Sequence, residues 1–170
     1  ILATSRTMTN GAGFIKPKGF KAFLTKPIRQ EALLQCLDAV FGEKVDKTYP
    51  ENQESQTPVP EPSDDQRLAR VLLVEDNAIN QKVALKMLST FGYPTECASN
   101  GKEALALLEK TRFDLILMDV QMPVMDGFEA TRIIRNSEKG LNSPDIPIVA
   151  MTAHAMKGDK DKCILAGMNH

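Results

Sequence analysis

Residues 71–84 read VLLVEDNAINQKVA, and this stretch decides the fold class. Four apolar residues in a row, Val71 to Val74, do not alternate as a strand with one wet face would; they suit a short strand covered on both faces, as in a parallel sheet. Two acids, Glu75 and Asp76, follow at once. Asp76 or Asn77 then caps a helix whose apolar positions Ile79, Val83, Met87, Leu88 and Phe91 recur at helical spacing. The unit is a buried strand, an acidic end and a helix.

The same unit recurs downstream. Thr95 to Ala98 is a weaker strand closed by the turn Ser99-Asn100-Gly101, and Ala104, Leu105, Leu107 and Leu108 mark the next helix. DLILMDVQMPVMDGFEATR (114–132) holds a second strong apolar strand ending at Asp119, a loop punctuated by Pro and Gly, and the start of a helix that bears Phe128 and, just beyond, Ile133 and Ile134. IPIVAMTAHA (146–155) supplies a fourth strand, Pro147 to Met151, and a last helix through Cys163 and Ile164 stops at Gly167. The order βαβαβαβα predicts a doubly wound parallel α/β sheet with right-handed crossovers and helices on both faces.

Upstream the composition changes. Residues 43–69 carry four prolines (Pro50, Pro58, Pro60, Pro62) and many acidic and polar residues, the composition of an acidic, Pro-rich linker too poor in apolar surface to offset the entropy of ordering. A linker there implies folded material on both sides. Before it, Ala22-Phe23-Leu24-Thr25 reads as a strand, and a helix from Ile28 carries Leu33, Leu34, Leu37 and Phe41 on one face. Ile1 to Ser5 resembles Ile148 to Thr152, a partial internal repeat.

Composition narrows the function classes. Lys+Arg is 21 and Asp+Glu 22, a net charge of -1, which gives no global attraction to nucleic acid or an anionic membrane. Hydrophobic residues make up 42% of the chain, enough for a sizeable core, yet no apolar run approaches the roughly 18 residues of a membrane span. Cys36, Cys97 and Cys163 are widely spaced and odd in number, as small apolar residues in a reducing compartment would be. A cytoplasmic setting is therefore expected, with no direct membrane contact.

The chemistry sits at the strand ends. In a doubly wound sheet the ends bearing Glu75-Asp76 and Asp119 lie side by side, at the crevice where such folds bind ligands. Converging carboxylates repel one another and raise each other's pKa unless a cation is present. An all-oxygen donor set of this kind suits Mg²⁺, which also contacts phosphate oxygens, with Mn²⁺ able to substitute. Thr152, at the fourth strand end, is placed to hydrogen-bond a phosphoryl oxygen. One acid at a strand end is usually a helix cap; four matched positions on successive features are a site.

Those three segments together resemble the receiver domains of hybrid sensor histidine kinases, across essentially all of residues 70–170. The resemblance implies a flavodoxin-like fold of strand order 2-1-3-4-5 and a role as phosphoacceptor in a two-component His–Asp phosphorelay. It makes Asp119 the residue that takes the phosphoryl group from a phosphohistidine, with Glu75 and Asp76 holding Mg²⁺ directly or through water and the backbone carbonyl of Gln121 as a further ligand. Thr152 becomes the switch hydroxyl, Pro123 and Gly127 match the family's loop residues, and Ala153 is small beside the phosphoryl path. The partner implied is a kinase or a histidine-phosphotransfer domain. Such a domain assists its own phosphorylation and hydrolysis but turns over no external metabolite.

The family also has a fifth strand ending in Lys-Pro and a fifth helix, which residues 70–170 lack. GFKAFLTKPIRQEALLQCLDAVFG (19–42) resembles both. By that likeness Lys26 is the phosphate-contacting lysine, before a proline whose peptide bond is cis in the family, and Phe23 is the aromatic switch position. The domain organisation expected is the tail of a first receiver (1–42, with Ser5 as its switch hydroxyl), the linker (43–69) and a second receiver (70–170). The front segment is then available to complete the second receiver, within one chain or as a domain-swapped dimer. Two other classes compete. A phosphohydrolase of the haloacid dehalogenase type also uses an Asp nucleophile and Mg²⁺, but its second Asp would fall where Gln121 stands. An interaction module without phosphorylation has no need of Glu75, Asp76, Asp119 and Thr152 together.

Other conspicuous residues have plainer readings. His154 suits an exposed loop rather than a phosphodonor, and His170 is terminal. Met118 belongs to a core strand, while Met122 and Met125 are loop packing rather than metal ligands. Lys157, Lys160 and Lys162 alternate with Asp159 and Asp161 as a solvated helix face. Asp126 is a helix cap.

Overall fold

A computed structural model describes residues 24–42, 69–137, 144–153 and 157–169. Ser5, Phe23, the linker residues 43–68, His154 and His170 lie outside the described residues. The elements are β1 (Leu24–Thr25), α1 (Gln30–Phe41), β2 (Val71–Val74), α2 (Ala78–Thr90), β3 (Thr95–Ala98), α3 (Gly101–Leu108), β4 (Leu115–Asp119), α4 (Gly127–Asn136), β5 (Ile148–Thr152) and α5 (Lys157–Ala166). All five strands are parallel, in the order β1-β5-β4-β2-β3. With β2 counted as the first strand and β1 as the fifth, this is the flavodoxin-like order expected, and the front of the chain supplies the fifth strand.

Every residue of β2 and β4 is buried, because the sheet is covered on both faces and alternate residues feed opposite cores. Leu73, Leu115, Leu117, Val149 and Met151 pack with Leu33, Cys36 and Leu37 of α1 and with Ala84 and Leu88 of α2. Leu72, Val74, Ile116, Met118 and Ile148 pack against α3, α4 and α5 through Ala104, Leu108, Ile134 and Cys163. Leu24, Leu33 and Leu37 are fully buried, each contributing roughly 1.5–3 kcal/mol over an exposed position. A parallel ring stack between Phe41 and Tyr93, centroids 5.5 Å apart, adds a further contact between α1 and the turn after α2.

The helix starts are set by side-chain caps. Asn77 Oδ1 accepts from the amides of Ile79 and Asn80, so Asn77 rather than Asp76 caps α2 and leaves Asp76 uncommitted to that role. Asp126 caps α4 through the Glu129 amide, as its sequence position suggests. Helix α5 ends at Gly167 with φ +94, and the Met168 amide bonds back to the Cys163 carbonyl, the Schellman pattern. The Arg135 guanidinium then ties three segments together. It donates to the carbonyls of Gly167, Pro144 and Ile146 and to Asn169 Oδ1, at 2.5–2.8 Å.

Two expectations need correction. The fourth strand runs one residue later than Pro147 to Met151 and includes Thr152. In α2 the expected apolar positions divide: Ile79 is 72% and Val83 44% exposed, while Leu88 is buried and Met87 and Phe91 pack half-buried against the same core, with Ala84 buried beside them. Each step of four residues advances about 40° round the helix, so Ile79 and Val83 fall outside the face that Ala84, Met87, Leu88 and Phe91 share. The small Ala84 lets that face meet the sheet. The three cysteines are free thiols. Burial pushes the Cys36 thiol up to about 12, and burial with Glu75 and Glu103 nearby pushes Cys97 up to about 11, which makes both poor nucleophiles near neutral pH.

Candidate functional site

The register of the sheet brings the acids together. Val74 pairs with Met118, so Glu75 and Asp119, one residue further on, emerge side by side. Carboxylate oxygens of Glu75, Asp76 and Asp119 lie within 4.8 Å of one another. Glu75 and Asp119 are buried, and Asp76 is exposed at the rim.

Each buried carboxylate is held from several sides. Glu75 Oε1 accepts from Asn80 Nδ2 at 2.8 Å and, more weakly, from the Asn77 amide at 3.4 Å, while Gln81 Nε2 donates to the Glu75 carbonyl at 2.6 Å. Asp119 Oδ1 accepts the Gln121 amide at 3.2 Å. Lys26 Nζ, 93 positions earlier in sequence, donates to Asp119 Oδ2 and stands 2.6 Å from Glu75 Oε2. The Lys26 amide also bonds to the Thr152 carbonyl at 2.9 Å, which fixes where its side chain enters. The Lys26-Pro27 peptide bond is cis.

The charges do not balance. Burial raises the Asp119 pKa above the ordinary 3.8, and Glu75 adds to the rise; the Lys26 ammonium and the Gln121 amide offset this only in part. For Lys26, burial alone would lower the pKa, but the bond to Asp119 and the negative charges of Asp119 and Glu75 outweigh it, and the net direction is upward. Glu75 Oε2 is buried and makes the Lys26 contact at ion-pair distance without hydrogen-bond geometry. Three convergent carboxylates, one with an oxygen lacking a hydrogen bond, fit a hard divalent cation with oxygen ligands.

Beyond the acids an open cleft of about 510 Å³ is lined by Asp76, Gln121, Pro123, Phe128, Thr152 and Lys162, among others. Its wall is held tight at one point. The first residue of α4, Gly127, sits so close to the end of β4 that a Cβ there would lie 2.1 Å from the Asp119 carbonyl oxygen, and its amide donates to the Val120 carbonyl at 3.1 Å. In the preceding loop Val124 adopts φ 71, a conformation that costs a β-branched residue energy, and is 79% exposed.

Of the residues singled out from the sequence, Glu75, Asp76, Asp119, Gln121, Thr152 and Lys26 thus share one site, and Phe23 lies outside the described residues. Three contributions were not anticipated. Asn80 and Gln81 position Glu75; their only signal is polarity on the first turn of a helix beside an acid. Lys162, taken for part of a solvated face, lines the cleft.

Comparison with known proteins agrees with this geometry. The response regulator receiver domain family matches residues 71–170. Hybrid signal transduction histidine kinase B of Dictyostelium discoideum is 46% identical over 112 residues, 61% of this chain and 6% of that kinase, so the chain spans a small part of that relative's length. The receiver domain of the sensor histidine kinase PA1611 of Pseudomonas aeruginosa, solved with a magnesium ion coordinated in its active site cleft, is 45% identical with a TM-score of 0.54, covering 61% of this chain and 82% of that one. The receiver domain of the response regulator Ssk1 of Saccharomyces cerevisiae, solved with the histidine phosphotransfer protein Ypd1, is 36% identical with a TM-score of 0.54, covering 59% of this chain and 74% of that one.

Proposed function

The chain belongs to the response regulator receiver family, and we propose that its Asp119 accepts a phosphoryl group from a phosphohistidine in a His–Asp relay. The observation that carries this reading is the convergence of Glu75, Asp76 and Asp119 on one point, with the Lys26 ammonium between two of them. A carboxylate oxygen of Asp119 attacks phosphorus in line. The bond from phosphorus to the imidazole nitrogen breaks, and that nitrogen keeps the electron pair and is protonated as it leaves. The carboxylates of Glu75, Asp76 and Asp119 and the Gln121 carbonyl would hold Mg²⁺, or Mn²⁺ in its place, which supplies charge neutralisation for the phosphoryl oxygens when bound. Lys26 Nζ and the Thr152 hydroxyl contact the same oxygens. Thr152 then follows the phosphoryl group and Phe23 follows Thr152, the switching step of the relay.

The exposed Ile79 and Val83 support a protein donor. They stand on the helix that begins just after Asp76 and give a partner carrying the phosphohistidine an apolar surface beside the acids. A cytoplasmic setting, membership of a hybrid histidine kinase and the origin of residues 1–42 as the tail of a preceding receiver belong to the same proposal. So does exchange of that tail between two copies as a swapped dimer, since the contacts would be the same. Incubation with phosphoramidate and Mg²⁺, read by intact mass, tests the central claim. Wild type gains one acid-labile phosphoryl group and Asp119→Asn gains none; labelling of the variant at wild-type stoichiometry, or none of either, would overturn it.

A further inference from the structure

Lys26 reaches the acids from the β1–α1 segment, residues 24–42, which precedes the other described elements in sequence. Several contacts hold that segment among the described residues. Strand β1 pairs with β5 at two positions, Leu24 with Met151 and Thr25 with Thr152. The Lys26 amide bond to the Thr152 carbonyl, the buried side of α1, the Phe41–Tyr93 stack and the Lys26 ion pairs add to the attachment among the described residues. The ion pairs end on Glu75 and Asp119, two of the three carboxylates that the functional reading assigns to a divalent cation. The same oxygens therefore serve two cations, one of them tethered to a docked strand and helix.

We propose that docking of the β1–α1 segment is thermodynamically coupled to the state of the phosphoacceptor site: loosened when a divalent cation occupies the acids and tightened again when Asp119 carries a phosphoryl group. The inference rests on the reading of the site given above. Charge sets its sign. Glu75, Asp76 and Asp119 offer Lys26 a triply negative pocket, and a dication leaves a single negative charge. Converting the Asp119 carboxylate to an acyl phosphate carrying about two charges restores part of the attraction. Coupling is reciprocal, so whatever factor the cation removes from docking, docking removes from cation affinity. Here the lysine's strand is held to its neighbour β5 by pairing and not by a short connection in sequence, so docking of the segment itself can respond.

Amide hydrogen exchange of the full chain, followed over residues 30–41, reads docking directly. Saturating Mg²⁺ should speed exchange in α1 about five- to tenfold, a modest coupling between sites, and Mg²⁺ with beryllofluoride should slow it again. In Lys26→Met the Mg²⁺ effect on α1 should vanish, and Mg²⁺ affinity by calorimetry should rise by about the factor seen in exchange. The second measurement holds even if the variant's segment is already undocked. Unchanged α1 exchange in wild type on saturation with Mg²⁺, or unchanged Mg²⁺ affinity in Lys26→Met, overturns the coupling while leaving the phosphoacceptor reading intact. Absence of Mg²⁺ binding to wild type overturns both.

Discussion

Replacing Gly127 by alanine tests the tightest contact around the site. The added methyl would lie 2.1 Å from the Asp119 carbonyl oxygen and 3.0 Å from Met118 Cγ. Ordinary carbon–oxygen contacts begin at about 3.3 Å, so α4 must retreat by about 1.2 Å. The obstacle is backbone and cannot rotate away, and overpacking of this kind costs about 1–3 kcal/mol. Retreat also breaks the Gly127 amide bond to the Val120 carbonyl, a net loss of about 1 kcal/mol. Against these stands the better helix propensity of alanine, at most about 1 kcal/mol. The net expectation is about 1–3 kcal/mol of destabilisation, seen as a melting temperature lower by about 5–20 °C for a domain of this size. Because the obstructing carbonyl belongs to Asp119 itself, the strain falls on the acceptor, and Mg²⁺ affinity should fall with stability. A melting temperature within about 2 °C of wild type, with unchanged Mg²⁺ affinity, would refute the claim that Gly127 is required by close approach.

Three further outcomes are expected. Asp119 has its folded pKa raised above 3.8, so its ionised form subtracts stability. That cost is absent below the ordinary pKa and grows as pH rises through the folded one. In metal-free protein the stability of wild type minus that of Asp119→Asn should therefore fall across this window and then level off; a difference flat with pH would contradict it. Val124→Asn relieves a left-handed backbone at φ 71 and should raise the unfolding free energy by about 1 kcal/mol, seen as a higher urea midpoint at constant slope, which an equal or lower midpoint would disprove. Arg135→Ala removes four hydrogen bonds and should cost about 2–4 kcal/mol, with faster amide exchange at residues 146–148; an effect below about 0.5 kcal/mol would show the guanidinium to be dispensable.

Much of the site was legible because it is local. Glu75, Asp76 and Asp119 each follow an unbroken apolar strand, and parallel register does the rest. The caps at Asn77 and Asp126 are likewise local, being read from one residue and the two or three after it. Lys26 was reachable only through resemblance, since nothing near it in sequence announces a partner 93 positions away. Met87, Leu88 and Phe91 lie on the buried side of α2 as their spacing suggests, but Ile79 and Val83 do not, because a helix against a sheet is positioned by what fits under it, here the small Ala84 beside Leu88. The alternation of Lys162 with acids is the ordinary pattern of a wet surface; only the position of α5 shows that this side chain borders the cleft. Arg135 had no signal at all, as three of its four acceptors are backbone carbonyls and the fourth, Asn169, is 34 positions away.

The clasp around Arg135 also bears on how the protein avoids sticking to itself. Ile116 donates to the Pro147 carbonyl, so the amide and carbonyl of Ile148 point away from β4, toward the open side of the sheet. Among the described residues, strand β1 pairs with that side at Met151 and Thr152. At the other end Asn169 closes it, accepting the Ile148 amide on Oδ1 and donating its own amide to the Ile148 carbonyl, both at 2.9 Å. A single residue thus imitates a neighbouring strand, and Arg135 holds it in place through the same Oδ1. Unpaired sheet margins template intermolecular association. Loss of Asn169 should accordingly show less in the melting temperature than in the concentration at which the protein begins to aggregate.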